Sequence, residues 1–392
     1  MEKIKTEVTK ELKQNILPFW MQRMPDASGG FIGRIDGKGA AHPDAEKGAI
    51  LNARILWTFS SAWRVIKDHS YLETADKAFC YITRHFIDRE YGGVYWSLNP
   101  DGTPKDSKKQ FYAIAFTIYA LAEYYRATGN DKALGEAVDL YRSIEGHSLD
   151  KANGGYLEAC TRNWEPIEDM RLSEKDQNDA KTMNTHLHIL EAYTGLYRVW
   201  PDKELAVALK NTIKLFLEKI IGDDGHLILF FNEKWLPNST MFSYGHDIEA
   251  SWLLCEAAEV LGDKALLAEV KKISTKVALA SMEGFKTNSG MEYEYDNATG
   301  YRNSSRDWWV QAETVVGCIN QFQLTNNPIW KKSAEEAWDF IKANIICPDG
   351  EWYWSALPEG NSFKPNTTDD RAGFWKCPYH NSRMCLELIE RS

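Results

Sequence analysis

The chain has 392 residues, 44% of them apolar and 26% charged, the make-up of an ordinary folded protein and not of a disordered, collagen-like or coiled-coil one. Its 46 basic residues are outnumbered by 56 acidic ones, for a net charge of −10, which argues against a basic stripe for nucleic acid and against a polybasic membrane patch. No apolar run approaches the ~18 residues of a membrane span, and the charged start MEKIKTEVTKELKQ lacks the apolar stretch of a secretion signal, so a cytoplasmic protein is expected.

Six helix-like segments carry almost no charge. They begin at Lys47 (KGAILNARILWTFSSAWRV), Gln110 (QFYAIAFTIYALAEYY), Ala180 (AKTMNTHLHILEAYTGLY), His246 (HDIEASWLLCEAAEVL), Arg306 (RDWWVQAETVVGCINQF) and Phe374 (FWKCPYHNSRMCLELI), a loose repeat of 60 to 70 residues. Charge-rich segments alternate with them, apolar at helical steps: Leu134, Val138, Tyr141 and Ile144; Leu205, Leu209, Ile213, Phe216 and Ile220; Trp330, Ala334, Trp338 and Ile341. A helix apolar all round must be buried, and a one-faced helix must cover it. Between them recur Gly-Gly-aromatic stretches (Gly29-Gly30-Phe31, Gly92-Gly93-Val94-Tyr95-Trp96, Gly154-Gly155-Tyr156) that read as short hairpins. The pattern predicts an all-α protein: an (α/α)6 barrel of six inner and six outer helices, hairpins at one end, as a single domain over residues 1–392.

In such a ring the inner-helix N-termini share one mouth. Their first turns supply Arg54, Tyr112, Asn184 with His188, His246 with Glu249, Trp308 and Trp309 with Glu313, and Trp375 with His380. A lone histidine in an apolar helix is more often a hydrogen-bonded core residue, but three in equivalent places of different repeats weaken that reading. Arg54 lies in an otherwise uncharged stretch and needs an anion or a carboxylate such as Glu249 or Glu313. The tryptophans, 15 in all, are singly as suited to core as to sugar platforms. Seven scattered cysteines without a CxxC, and a Cys377…His380 half-site without its second half, give no support for a disulfide framework or a metal centre.

The segments SYGHDIEASWLL (243–254), KTMNTHLHILEAY (181–193), WWVQAE (308–313), WKCPYHNSRM (375–384), ILNARILW (50–57) and GGVYWS (92–97) resemble, in order and over almost the whole chain, the N-acylglucosamine 2-epimerase superfamily in its cellobiose 2-epimerase branch. The resemblance implies reversible epimerisation at C2 of the reducing-end sugar of a β-1,4-linked disaccharide (cellobiose, lactose or mannobiose), without metal or nucleotide cofactor. It implies His246 and His380 as the acid/base pair and His188 as a third catalytic histidine. Arg54, Tyr112, Asn184, Glu249, Trp309 and Trp375 would contact the sugar or hold the histidines; Trp308 and Glu313, in the same mouth, are expected to contact the sugar as well. Gln110 and Ser382 depart from the family pattern, which often has His and Gly there.

The chemistry suits those residues. C2 is acidic only once the ring has opened to an aldehyde, and imidazoles on opposite faces can remove and return its proton near neutral pH. A buried Arg54 would stabilise the enediolate, and Glu249, one turn from His246, would orient that imidazole. An aldose–ketose isomerase would use the same enediolate, a glycoside hydrolase would need two carboxylates about the glycosidic oxygen, and a non-catalytic sugar-binding toroid would have no use for three histidines. A monomer is expected, with a small sugar as its partner and neither nucleic acid nor membrane.

Overall fold

The structure, a computed structural model, describes residues 2–391. In chain order the helices are α1 (Glu2–Glu11) and α2 (Leu17–Arg23), continuous through a π-helical turn, then α3 (Ala49–Ile66), α4 (His69–Tyr81), α5 (Phe111–Thr128), α6 (Asp131–His147), α7 (Met183–Val199), α8 (Lys203–Leu215), α9 (Tyr244–Leu261), α10 (Lys264–Ser281), α11 (Trp308–Thr325), α12 (Pro328–Asn344) and α13 (Tyr379–Glu390). The helices α3, α5, α7, α9, α11 and α13 each pack on the next, and α13 returns to α3 to close the ring. Around them α4, α6, α8, α10, α12 and the α1–α2 helix each back one inner helix. This is the (α/α)6 barrel expected from the alternation of apolar and one-faced segments. In α3 every residue from Ala49 to Ala62 is buried, and each large side chain so enclosed contributes roughly 1.5–3 kcal/mol.

The two ends of the ring differ because their connections differ. At the inner-helix C-termini four of the links are two residues long. A left-handed residue stops the inner helix and an Asp or Asn side chain caps the next one: Lys67-Asp68, Gly129-Asn130, Gly262-Asp263 and Asn326-Asn327. That end is closed by ion pairs, Arg64 with Glu123 and Glu390, Arg198 with Glu256, and Arg391 with Glu387.

The opposite end carries the hairpins. The residues just before an inner helix pair antiparallel with the hairpin of the following repeat: Lys47–Gly48 with Ser97–Leu98, Lys109–Gln110 with Ala159–Cys160, Lys181–Thr182 with Phe230–Phe231, Met241–Ser243 with Glu294–Asp296, and Arg306–Asp307 with Ser355–Ala356. Four lysines at these junctions are wholly buried, and each is held by a carboxylate: Lys47 by Asp26, Lys109 by Asp88, Lys181 by Asp150 and Lys376 by Glu351, at 2.5 to 2.8 Å. Aromatic rings cover the ammonium groups, Tyr81, Trp164, Trp235 and Trp308 respectively, within 4.9 to 5.6 Å. The Gly-Gly pairs follow from this packing. At Gly93, with φ of +70°, an added Cβ would lie 2.8 Å from Trp164, and at Gly155, with φ of +76°, 2.3 Å from Trp235.

A second device ties the hairpins to the ring. The fourth residue of three inner helices takes hold of hairpin backbone: His186 Nε2 accepts from the amide of Tyr156, Asp247 from that of Leu227, and Gln311 both accepts from and donates to Met291. The first turns of the inner helices are thereby pinned from above, which is what a site built on them requires.

Candidate active site

A cavity of about 910 Å³ opens at the hairpin end. Arg54, Tyr112, Asn184, His188, His246, Glu249, Trp308, Trp309, Trp375 and His380 all line it, so the shared mouth expected from the repeat register is present. Glu313 does not reach the wall. It stands behind His380, wholly buried and engaged by other side chains, and is corrected from a sugar contact to a support. Trp375 lies before α13 instead of on it, because Pro378 sets that helix's start.

Two of the three histidines are braced by carboxylates. His380 Nδ1 donates to Glu313 at 2.7 Å, and His188 Nδ1 donates to Glu191 at 3.0 Å. A neutral imidazole that donates through Nδ1 keeps Nε2 as its free base atom. His246 differs: among the described residues its Nδ1 has no partner, and it packs 4.7 Å from Trp309, ring to ring. Burial pushes all three pKa values down, His188 to about 4, where Glu191 works against the fall, His246 to about 3 and His380 well below its ordinary value. In the free protein at neutral pH they are uncharged, which is the form a proton abstractor needs.

The expectation that Glu249 orients His246 is not met. Both of these residues point at the cavity, but Glu249 Oε1 is taken by Arg383 Nη2 at 2.5 Å. Arg383 is the residue that reading by repeats missed. Fully buried, it donates to Glu191 and Tyr379 through Nη1 and to Glu249 and Glu313 through Nη2. It also accounts for Arg54, whose expected carboxylate partners it occupies. Arg54 instead donates to the Tyr112 hydroxyl at 3.0 Å and to Cys377 Sγ at 3.5 Å, its guanidinium 4.1 Å from the centre of the Phe116 ring. A signal was available: Arg383 follows His380, and Glu191 follows His188, by three residues, a spacing that shares a helix face.

Towards solvent the wall is acidic and aromatic. Asp307, beside Trp308 and Trp354, is pushed up to about 7 by burial, and Glu158, which accepts from the Thr182 amide and the Thr185 hydroxyl, to about 8 for the same reason. Residues 170–177 and Asp179 form part of the wall, in a long connection between Cys160 and Lys181. Gln110 has a defined task there. Its amide donates to the carbonyls of Met170 and Arg171 at 3.1 and 2.8 Å, tying that connection to the start of α5. Ser382 is wholly buried in the first turn of α13, its hydroxyl without a partner among the described residues.

The group best suited by distance to a metal is Glu249, Glu313 and His380, whose donor atoms lie within 4.8 Å of one another. Arg383 Nη2 already bonds both carboxylates there, so a metal would have to displace a buried guanidinium.

Fold and site together define an (α/α)6 barrel whose cavity is lined by three histidines of different inner helices. The profile of the N-acylglucosamine 2-epimerase family aligns with residues 30–380, and the chain belongs to that family. It is 53% identical to the cellobiose 2-epimerase of Bacteroides fragilis, over 99% of both chains. Cellobiose 2-epimerase from Bacillus thermoamylovorans superposes with a TM-score of 0.95 at 41% identity, all of both chains being covered. A D-mannose isomerase superposes with a TM-score of 0.85 at 19% identity, over 98% of this chain and 97% of that one, a likeness of fold alone.

Proposed function

We propose that the chain interconverts the C2 epimers at the reducing end of β-1,4-linked disaccharides, turning cellobiose into glucosyl-mannose and back. The observation that carries this reading is a set of three imidazoles on one cavity wall, two of them fixed by carboxylates, beside a buried guanidinium and a phenol. Ring opening moves the O1 proton to a base while O5 gains one. One of His246 and His380 then takes the C2 proton at Nε2, leaving the electron pair in an enediolate whose charge faces Arg54 and Tyr112. The other imidazole, entering this step protonated at Nε2 by a proton taken from water, gives that proton to the opposite face and inverts C2; ring closure follows, and return of the abstracted proton to water restores both rings. His188 serves the ring-opening transfers, and Trp375 and Trp309 supply flat apolar faces for the pyranose.

Incubation with cellobiose in deuterated water, read by NMR, tests this. Deuterium at C2 of both the glucosyl-mannose and the recovered cellobiose is expected. A ketose labelled at C1 as the main product would assign an aldose–ketose isomerase instead, and unlabelled epimer would remove the proton-transfer mechanism.

The same reading has the protein work as a cytoplasmic monomer without metal or organic cofactor. Every proposed group comes from one chain, Arg383 occupies the best ligand cluster, and the seven cysteines are free, which suits a reducing compartment. No helix among the described residues is long and apolar enough to cross a membrane. Activity that vanishes on chelation and returns with one divalent ion would overturn the metal-free mechanism.

A further inference from the structure

Three carboxylates from consecutive inner helices, Glu191 of α7, Glu249 of α9 and Glu313 of α11, converge on the single guanidinium of Arg383. All four residues are buried to within 2% of full enclosure. Three ionised carboxylates against Arg383 and the neighbouring Arg54 would leave one uncompensated negative charge away from water, which is unfavourable. One proton must therefore reside in the cluster, and the hydrogen bonds show where.

Glu191 accepts from His188, Tyr379 and Arg383. Glu313 accepts from His380, Trp252 and Arg383. Each has three donors, the environment of a carboxylate. Among the described residues Glu249 has one, Arg383, on Oε1. His380 Nδ1 is 3.9 Å from that same oxygen and is committed to Glu313. Among the described residues Glu249 Oε2 has no protein donor, and the residue is part of the cavity wall.

We infer that Glu249 rests as a neutral carboxylic acid at neutral pH and presents its Oε2 hydroxyl to the cavity as a hydrogen-bond donor for a sugar oxygen. The role towards sugar rests on the epimerase reading above; the protonation state does not. Burial, and next the neighbouring Glu313, push the Glu249 pKa up, with Arg383 opposing. Burial raises Glu313 as well, but its three donors favour the charged form there, so the shared proton stays on Glu249. Burial also works to raise Glu191, yet Arg383 and His188 hold it below its ordinary value. The remaining groups that face Glu249 are Tyr379 of α13 and Tyr112 of α5. Arg54 of α3, bonded to Tyr112 and Cys377, supplies the second positive charge of the neighbourhood and brings it to neutrality once Glu249 holds its proton. A neutral donor at this place can bind a sugar hydroxyl or ring oxygen without repelling the negative charge that the reaction develops.

The test compares Glu249→Gln, Glu191→Gln and Glu313→Gln in the full chain. An amide mimics a neutral carboxyl, so Glu249→Gln should melt at or above the wild-type temperature. The other two should melt lower and lose at least ~10²-fold in kcat. Infrared difference spectra from neutral to alkaline pH should show loss of a protonated-carboxyl band in the wild type that is missing from Glu249→Gln. A destabilisation of Glu249→Gln equal to that of Glu313→Gln, or an unchanged carboxyl band, overturns the proposal. If the band behaves as stated but the wild type does not exchange C2 of cellobiose, the protonation state stands and the epimerase reading falls.

Discussion

His380 on α13 donates its Nδ1 hydrogen to Glu313 on α11 across 2.7 Å, whereas His246, on the helix between α7 and α11 in the ring, has no partner for its Nδ1 among the described residues. The two imidazoles proposed to face C2 from opposite sides are thus unequal. His380 has a carboxylate to stabilise it when charged, and His246 relies on Trp309 for its orientation.

Replacing either histidine with alanine should lower turnover on cellobiose by at least ~10²-fold while the circular dichroism spectrum stays that of the folded ring. The carboxylate behind His380 adds a distinction. His380→Ala leaves Glu313 with one donor fewer inside the protein and should lower the melting temperature more than His246→Ala does. Ordinary turnover by a folded variant of either kind removes that residue from the mechanism.

A pH effect on stability follows from His186, which has no proposed part in catalysis. Its Nδ1 donates to the Thr182 carbonyl at 2.6 Å and its Nε2 accepts from the Tyr156 amide at 2.9 Å, so only the neutral ring satisfies both. Burial lowers its pKa to about 4, against ~6.5 in an unfolded chain. Between these values the unfolded state binds the extra proton, so stability is complete above about pH 6.5 and falls as pH drops towards 4, by on the order of 3 kcal/mol. Asp307, raised by burial to about 7, has the opposite sign and loses stability as pH rises. Denaturation curves of the wild type and His186→Gln, compared at neutral and mildly acid pH, separate the two. The variant should show a flatter acid side, and parallel curves would show that His186 is not held neutral.

The buried pair Lys109–Asp88 makes a third prediction. Burial would raise Asp88, but Arg162 and Lys109 hold its carboxyl far below the usual range. Lys109→Met leaves that carboxylate short of a partner beneath Trp164 and should cost about 3–5 kcal/mol in urea unfolding. Adding Asp88→Asn should recover part of the loss. Wild-type stability in the single variant would mean the junction is not what pins α5.

These junctions mark the limit of what the sequence discloses. The alternation of uncharged and one-faced segments was legible because helices packed on all sides and on one side have different compositions, and it carried ring, repeat and mouth. Arg54 could be singled out because it interrupts an apolar run, and His188, His246 and His380 because they recur near the starts of different inner helices. Arg383 was harder to read: its three-residue step from His380 marks a shared face, but in HNSRMCLELI it stands among polar residues and reads as surface until the ring's closure sets it against three glutamates from other repeats. Lys47, Lys109 and Lys181 were hidden for the same reason, since their carboxylates lie 21 to 31 residues away and hairpin registers are invisible to periodicity. Glu249 beside His246 shows the converse error, in which proximity on one helix suggested a bond that a partner from another helix had already taken.

The last prediction separates two tryptophans that the sequence treats alike. Trp308 is nearly sealed, with Lys376 over its face at 4.9 Å and Trp354 against its edge at 4.9 Å. Trp375 is half-buried on the cavity wall, with its ring 6.1 Å from Tyr112 and 5.9 Å from Trp96. Truncating a sealed indole leaves a void and uncovers a buried ammonium, so Trp308→Ala should cost about 3–5 kcal/mol of stability and show first as a lower melting temperature. Trp375→Ala removes a face that solvent already reaches. It should leave melting almost unchanged but raise KM for cellobiose, and lower kcat as C2 loses its placement between the two imidazoles. Melting curves and Michaelis constants on both variants decide the matter. A large stability loss with unchanged kinetic constants in Trp375→Ala would return that indole to the core and leave the sugar platform to Trp309.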